Sequence, residues 1–324
     1  MGADQQTSPP NSVPGGVSAA QAEAFLVARF GPAIQDVTRI GHGEWSTAYA
    51  FRRDGADHVA RFGAYIEDFA KDRLAAQYAS RDLPIPVVNE IGNAYGGHYA
   101  VSERAFGDYI DDLDGERMRA TLPSLFAALD AARQVDLSAT TGYGGWDAGG
   151  AAPNASWRAT ILDVAADRPG DRTNGWRQRL AASAVGAGPF DEALDHLQAL
   201  IQYCPDERHL IHSDLLHFNV LVADDRISAV FDWGCSLYGD FLYDLAWVAF
   251  WAPWFPAWRG IDFSHEAARH FAAIGLDVPN FEERLRYCQV HIGLDAQKYN
   301  AFKGNWDELA ATAERTRKIA KGDR

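Results

Sequence analysis

Residues 209–234 read HLIHSDLLHFNVLVADDRISAVFDWG, and this segment is the most informative of the chain. Within it, two runs rich in β-branched residues, 220–223 and 227–231, are separated by the polar triplet DDR. This pattern predicts an antiparallel hairpin with a short connection. Pairing across the connection sets Asn219 beside Phe231, so we expect Asp232 to emerge next to Asn219 at the open end of the hairpin.

The polar residues around this hairpin are those that phosphoryl transfer needs. Asp214 lies five residues before Asn219, far enough for one loop to turn and bring its carboxylate to the same place. Carboxylate and amide oxygens suit Mg²⁺, so Asn219 and Asp232 are candidate metal ligands. Asp214 is the candidate catalytic residue, which accepts a proton from an attacking hydroxyl. The alternative is that all three are capping and turn residues of an ordinary hairpin.

The spacing H-x-D-x-x-x-x-N at 212–219, followed by Asp-Trp-Gly at 232–234, resembles the catalytic and metal-binding loops of the protein-kinase-like aminoglycoside phosphotransferases. Gly-Asp at 239–240 and Asp-Leu-Ala at 244–246 continue the resemblance. Within that family the hygromycin B phosphotransferases are the most similar, through LPIP at 83–86, DLS at 136–138, residues 204–214, WAPW at 251–254 and IGLD at 292–295.

The resemblance implies a bilobal α+β fold of the protein-kinase type. It also implies ATP and Mg²⁺ as cofactors and O-phosphorylation of an aminoglycoside, hygromycin B first of all, which would confer resistance. The sequence leaves GTP open as the donor. Other open readings are a kinase of another aminoglycoside, a macrolide, choline, homoserine or thioribose, and a catalytically silent nucleotide-binding module.

The hydropathy pattern divides the chain into two unlike parts. A polar tail rich in Pro and Gly, predicted to be disordered, covers residues 1–17. A nucleotide-binding lobe is predicted at 18–104, with helices at 19–30 and 67–80 and strands at 36–40, 48–53, 58–62, 87–91 and 98–103. A catalytic and substrate-binding lobe is predicted at 105–324, with helices at 122–135, 157–166 and 190–203 and a loop at 142–154. We expect a ligand cleft between the lobes.

The first lobe carries candidate nucleotide-binding residues. Gly41, Gly43 and Ser46 lie between two strands, where flexible backbone can close over phosphates, although an ordinary hairpin turn is the alternative. The segment 102–106 is the predicted hinge between the lobes. Its residues Glu103 and Ala105 are expected to meet the nucleobase.

Arg61 occupies the place on the third strand where kinases carry a phosphate-binding lysine. Arginine keeps the positive charge and can bind phosphate with two N–H groups. Its acidic partner is one of Glu67, Asp68 and Asp72, and Asp72 is preferred.

The acceptor side is expected to be acidic and aromatic. Residues 232–262 contain four acidic and one basic residue, and one minus four gives a net charge of −3. Carboxylates can pair with ammonium groups, and tryptophan faces can contact sugar rings and cations. The tryptophans recur at helical spacing, so core packing is an equal alternative, and two of the carboxylates can be structural. The candidate substrate-binding residues are Asp240, Asp244, Trp251, Trp254 and Asp295.

Composition limits the possible partners. The 324 residues include 30 basic and 44 acidic side chains, a formal charge of −14, and no Lys/Arg cluster, which argues against nucleic acid. No apolar run is long enough for a bilayer and the start has no signal-peptide pattern, so we expect a cytoplasmic protein without membrane contact, by default a monomer. Cys204, Cys235 and Cys288 are expected to be reduced, core-type thiols. The histidines at 209, 212 and 217 lack the spacing of zinc ligands.

Overall fold

The N-terminal part of the computed structural model, which describes residues 16–42 and 45–322, is an antiparallel sheet flanked by two helices. The strands lie in the order β1-β2-β3-β5-β4. Asp54 and Gly55, both with positive φ, form the tight turn between β2 and β3. The elements are α1 (Ala19–Phe30), β1 (Gln35–His42), β2 (Ser46–Arg53), β3 (Ala56–Gly63), α2 (Ile66–Ala75), β4 (Val88–Ala94) and β5 (Gly97–Glu103).

Helix α1 has the limits that the sequence predicts. Ser18 and Gln21 form a reciprocal capping box at its start, and Gly31 with φ of 89° ends it. The predicted tail extends too far, however, because Val17 is only 6% exposed and packs in the core of this lobe. The Tyr49 hydroxyl donates a hydrogen bond to the Val17 carbonyl.

The C-terminal part is mainly helical and is built around one long helix, α9, which packs against α5, α6, α7 and α10. Its helices are α3 (Gly115–Arg133), α4 (Trp157–Leu162), α5 (Trp176–Ala182), α6 (Gly188–Leu200), α7 (Leu242–Trp251), α8 (Phe263–Ala273), α9 (Phe281–Lys303) and α10 (Trp306–Lys321). Helix α3 begins before the predicted 122, because Asp114 caps Glu116 and Arg117. The expected bilobal α+β architecture is confirmed, while the exact lobe boundary at 104 stays a prediction.

Two small sheets carry the loops of the predicted site. One has the order β10-β9-β6, and the other has the order β7-β11-β8. The predicted loop at 142–154 contains one of these strands, β7, and a buried tryptophan, Trp146. The strands are β6 (Asp108–Tyr109), β7 (Gly144–Gly145), β8 (His209–Ile211), β9 (Val220–Ala223), β10 (Arg226–Val230) and β11 (Leu237–Gly239).

Strand β6 follows the predicted hinge and pairs with β9, so the connection between the lobes is attached directly to the hairpin of β9 and β10. Two of the cysteines, Cys204 and Cys288, are buried as expected, but Cys235 is exposed, and all three are free thiols. Within the described residues, no helix has both the length and the apolar character needed to span a membrane.

Close packing between α9 and α10 gives the first testable prediction. A Cβ atom added at Gly293 would lie 2.0 Å from the Thr316 hydroxyl and 3.0 Å from the Phe250 ring, whereas one at Gly188 meets nothing within 4 Å. Gly293→Ala should therefore destabilise the fold by about 1–3 kcal/mol through overpacking. Thermal unfolding should show a midpoint lowered by several degrees, while the control Gly188→Ala leaves it unchanged or slightly raised. Equal midpoints for the two variants would contradict the observed packing.

Candidate active site

The loop between β8 and β9 carries Asp214, and the buried ring of His212 fixes it to the hairpin. His212 Nδ1 accepts a hydrogen bond from the Asp214 backbone N–H at 3.2 Å. Its proton is therefore on Nε2, which donates to the Phe231 carbonyl at 3.0 Å. One imidazole thus ties the start of the catalytic loop to the end of β10.

Asp244, at the start of α7, binds the backbone of the same loop. Its two carboxylate oxygens accept the backbone N–H groups of His212 at 2.9 Å and Ser213 at 2.7 Å. Burial raises the pKa of Asp244, although His212 and these hydrogen bonds oppose the shift. The side chain is only 3% exposed, so the sequence expectation that it binds substrate is wrong. It stabilises Ser213, whose φ of 62° lies in the left-handed region.

Asp214 and Asn219 are in direct contact, as the sequence predicts. The Asn219 side-chain N–H₂ donates to the Asp214 carbonyl at 2.8 Å and to Asp214 Oδ2 at 3.1 Å. The Phe231 N–H donates to the Asn219 carbonyl at 3.1 Å, which confirms the predicted hairpin register. Since both bonds of the Asn219 side chain use its nitrogen, Oδ1 is left to face other groups. Asp232 follows at once, with φ of 64°.

Asp232 lies in an environment that favours a cation. Burial, with a further contribution from the Asp72 carboxylate, raises the pKa of Asp232 to about 6 despite the opposing charge of Arg61. A buried carboxylate with this excess of negative charge is stabilised when a metal ion binds. The Asp232 carboxylate and the Asn219 amide oxygen are both oxygen donors of the kind that suits Mg²⁺.

The protein ligands of such an ion would be few. No group of three or more His, Cys, Asp or Glu side chains in 16–42 and 45–322 is arranged to hold a metal. Mg²⁺ is commonly bound by one or two carboxylates, with waters and phosphate oxygens as its other ligands. The donor set therefore fits a nucleotide-bound ion, and the metal-binding roles of Asn219 and Asp232 remain predictions.

Arg61 on β3 forms an ion pair with Asp72 on α2, the partner preferred from sequence. The other oxygen of Asp72 accepts the Trp233 N–H at 2.7 Å. Of the alternative partners, Asp68 pairs with Arg172 at 2.9 Å, and Glu67 is exposed. Burial opposes the charge on Arg61, but Asp72 and Asp232 outweigh it and raise the pKa of the guanidinium. Arg61 therefore remains a cation at all ordinary pH values.

Sequence reasoning missed a second link between α2 and the metal loop, made by Lys71. Its ammonium group donates to the carbonyls of Gly234 at 2.7 Å and Ser236 at 3.2 Å. Burial lowers the pKa of Lys71 to about 8. A lysine within a predicted helix is normally interpreted as a surface residue, so the sequence does not indicate this contact.

The cleft between the lobes holds a cavity of about 230 Å³. Val59 and Val88 line it from the first lobe, and Leu221 and Phe231 line it from the second. Two apolar walls of this kind can enclose a flat nucleobase. Five residues predicted to bind nucleotide also line the cavity: Gly41, Arg61, Asp72, Glu103 and Ala105.

The other two predicted nucleotide residues lie elsewhere. Ser46 begins β2, where it pairs with Gly63, and it is not part of the cavity lining. Gly43 lies outside the described residues. At the hinge, the backbone N–H of Glu103 donates to the Val87 carbonyl at 3.1 Å, which fixes the edge of the cavity.

Two tryptophans of α7 border the catalytic loop through His217. The His217 ring lies 5.6 Å from the Trp251 ring and 6.2 Å from the Trp247 ring. His217 Nδ1 lies 3.0 Å from Asp214 Oδ1. Burial opposes the charged imidazole, but the bond to Asp214 and its charge raise the pKa of His217. Trp251 is therefore next to the catalytic loop.

The remaining predicted substrate residues are farther from this point. The Trp254 ring packs against the Trp251 ring, with 5.1 Å between their centroids, and its Nε1–H donates a hydrogen bond to Glu308 at 3.1 Å. Trp254 is thus separated from the loop of Asp214 by Trp251. Asp295 is exposed on α9, with Lys298 at 3.9 Å. Both positions allow contact with a ligand, and their roles remain predictions.

Asp240 is a structural residue, contrary to the sequence expectation. It is 0% exposed, and Arg284 donates two hydrogen bonds to it at 2.6 and 3.0 Å. The Tyr287 hydroxyl is a further donor to the carboxylate. With its oxygens occupied and no contact with solvent, Asp240 joins α9 to the start of α7 and cannot bind a substrate.

The Phosphotransferase enzyme family matches residues 36–283 of the chain. The chain belongs to this family. It is 32% identical over 296 residues to Hygromycin-B 4-O-kinase of Escherichia coli, an alignment that covers 91% of this chain and 83% of that relative. This membership agrees with the position of the predicted catalytic and metal-binding residues beside the cleft between the lobes.

Solved structures of the family agree with this assignment. Aminoglycoside phosphotransferase APH(4)-Ia matches with a TM-score of 0.82 and 31% identity, covering 95% of this chain and 100% of that one. A thermostable mutant of it, crystallised with AMP-PNP and hygromycin B, matches with a TM-score of 0.81 and 31% identity, covering 92% and 97%. The GDP complex of aminoglycoside 2'-phosphotransferase-IIIa, 15% identical with a TM-score of 0.63 and covering 94% and 99%, shows the fold alone.

The structural role of Asp240 is testable. Asp240→Asn leaves the buried Arg284 without a counter-charge and should cost about 3–5 kcal/mol of stability. The control Asp163→Asn, which breaks an exposed pair with Arg168, should cost less than about 1 kcal/mol. Denaturant unfolding measures both values. If Asp240→Asn kept full stability and only weakened substrate binding, the structural assignment would be wrong.

The buried charge of Asp232 gives a pH-dependent prediction. A pKa raised from 3.8 to about 6 means that the ionised carboxyl destabilises the folded protein above that pH, and that this cost disappears near pH 4. Asp232→Asn should therefore raise the thermal midpoint at pH 7.5 in the presence of EDTA, by a few degrees. The gain should shrink as the pH falls from 6 to 4. A variant that is less stable than the parent at pH 7.5 would show that the buried charge is already compensated.

Proposed function

We propose that this protein is an ATP-dependent O-phosphotransferase that phosphorylates hygromycin B, at the 4-hydroxyl group, and thereby confers resistance to it. The observation that carries the proposal is the contact of Asp214 with Asn219 at the end of a hairpin whose next residue, Phe231, lines the cavity between the lobes. The likeness to Hygromycin-B 4-O-kinase supports the choice of acceptor. The AMP-PNP complex of the similar structure supports ATP as the donor.

Asp214 performs the proton transfer in this reaction. Its carboxylate accepts the proton of the acceptor hydroxyl while the hydroxyl oxygen forms a bond to the γ-phosphorus. The bond between that phosphorus and the bridging oxygen breaks, and ADP leaves with the electron pair. Catalysis depends mainly on positioning and on stabilisation of charge.

The phosphates are held from both lobes. Asn219 and Asp232 are the residues that would hold Mg²⁺, and the ion would supply positive charge opposite the phosphate oxygens. Arg61 contributes a permanent cation at the cavity wall, and Asp72 holds its side chain in place. The Arg61–Asp72 pair corresponds to the Lys–Glu pair of protein kinases.

The acceptor side suits a cationic ring system. Trp247 and Trp251 offer aromatic faces beside the catalytic loop, and Asp295 offers an exposed carboxylate. The net charge of −14 favours approach of a polycation. We propose that the protein acts in the cytoplasm, where ATP is available, and as a monomer.

The function is tested by mass spectrometry of the antibiotic. Incubation with the protein, Mg²⁺ and ATP should add one phosphate to hygromycin B, and GTP should serve less well. Other aminoglycosides, a macrolide and choline, incubated in parallel, test the competing acceptors. No phosphate on hygromycin B, together with phosphate on another compound, would reassign the substrate.

Asp214→Asn separates catalysis from binding. Removal of the proton acceptor should reduce kcat by about 10²–10⁴-fold. Nucleotide binding, measured by calorimetry, should stay close to that of the parent, because Asp214 is not part of the cavity lining. Full turnover in this variant would refute the assigned role.

A further inference from the structure

We propose that His217 is a positioning residue for the phosphoryl transfer, which holds the carboxylate of Asp214 in the orientation needed to accept the proton. The inference rests on the proposed function, because it takes Asp214 as the proton acceptor. His217 lies three residues after Asp214 on the same loop, and its Nδ1 lies 3.0 Å from Asp214 Oδ1. Since the carboxylate can only accept, Nδ1 carries the proton of this bond.

The carboxylate of Asp214 is held at both of its oxygens. His217 binds Oδ1, and the Asn219 side chain binds Oδ2 at 3.1 Å. Two donors on opposite oxygens stop the rotation of the carboxylate about its terminal bond. Each oxygen keeps a further lone pair, so one remains for the hydroxyl proton. Asp214 is thus fixed in direction but remains able to act as a base.

His217 is itself held firmly by groups from two other elements. The carboxylate of Asp111, in the short turn after β6, accepts the backbone N–H groups of His217 at 2.7 Å and Phe218 at 3.0 Å. Both residues have positive φ, 64° and 70°, a backbone conformation that is strained for residues other than glycine and persists only where the surrounding structure enforces it. Asp111 provides this support, and neither it nor His217 was assigned a role from the sequence.

The other side of the imidazole packs on α7. Trp247 and Trp251 meet the ring in edge-to-face geometry, with interplanar angles of 87° and 79°. These contacts leave the ring few alternative rotamers in which Nδ1 still faces Asp214. The side chain nevertheless stays 52% exposed, so these contacts do not enclose it.

This arrangement joins the acceptor wall to the base. A ligand that packs on Trp247 and Trp251 contacts the two residues that hold the imidazole ring of His217, and that ring in turn holds Asp214. Correct seating of the acceptor and correct orientation of the base therefore depend on one side chain. Substrates that fail to contact the tryptophans would lose rate as well as affinity.

The test compares His217→Ala with His217→Asn, because the Asn side-chain N–H₂ takes the position of Nδ1 and keeps the donor without a titrating ring. Loss of the donor should lower kcat by about 10–100-fold while the KM for ATP changes by less than about twofold. His217→Asn should recover most of this loss. His98→Ala, which removes another Nδ1 bond, 2.9 Å to Asn93 on the β4–β5 hairpin, is the matched control and should keep parental kinetics.

Two kinetic results would overturn the inference. One is a parental kcat in His217→Ala, and the other is a kcat in His217→Asn as low as in His217→Ala when both variants unfold at the parental temperature. In the first case, a raised KM at parental kcat would assign His217 to substrate binding alone.

A second measurement does not depend on turnover. Long-range ¹H–¹⁵N spectra at a pH where the imidazole is neutral should show the His217 ring of the parent in the Nδ1–H tautomer, and Asp214→Ala should abolish this preference. An Nε2–H ring in the parent would refute the hydrogen bond. If the ring is Nδ1–H but the protein phosphorylates no aminoglycoside, the hydrogen bond stands and the proposed function fails.

Discussion

A single buried carboxylate, that of Asp72, joins the two lobes at the point where phosphates are expected to bind. One of its oxygens pairs with Arg61 of β3, and the other accepts the backbone N–H of Trp233, directly after Asp232. The same negative charge contributes to the raised pKa of Asp232. Asp72 therefore does two things at once: it holds the Arg61 cation at the wall of the cavity, and it adds negative charge beside Asp232, which would favour a metal ion there.

Local patterns in the sequence were enough to predict the register of the hairpin beside the predicted site. The hairpin register follows from alternating apolar runs and a short polar connection, so the contact between Asn219 and Phe231 could be predicted without any long-range information. Strand β3, with Arg61 in it, follows in the same way. The capping box of α1 likewise marks the start of that helix.

The failures concern residues whose role depends on distant partners. Asp240 and Asp244 were expected at the acceptor site, but Arg284 and the backbone of 212–213 bury them. These partners lie 44 and 31 to 32 positions away, beyond the reach of any periodic pattern. Lys71 was missed for the same reason, since its acceptors are 163 and 165 residues distant. An acidic residue in sequence signals a charge but not whether a guanidinium or a ligand neutralises it.

Helix α2 is fastened to the C-terminal lobe by three different side chains. Asp72 binds the Trp233 N–H, Lys71 binds two carbonyls after it, and Asp68 pairs with Arg172. An outward movement of this helix would leave the Lys71 ammonium group and two carboxylates without these partners at once. Because α2 also packs on β4 and β5, opening of the cleft would have to carry this helix along with one lobe or break its contacts with the other.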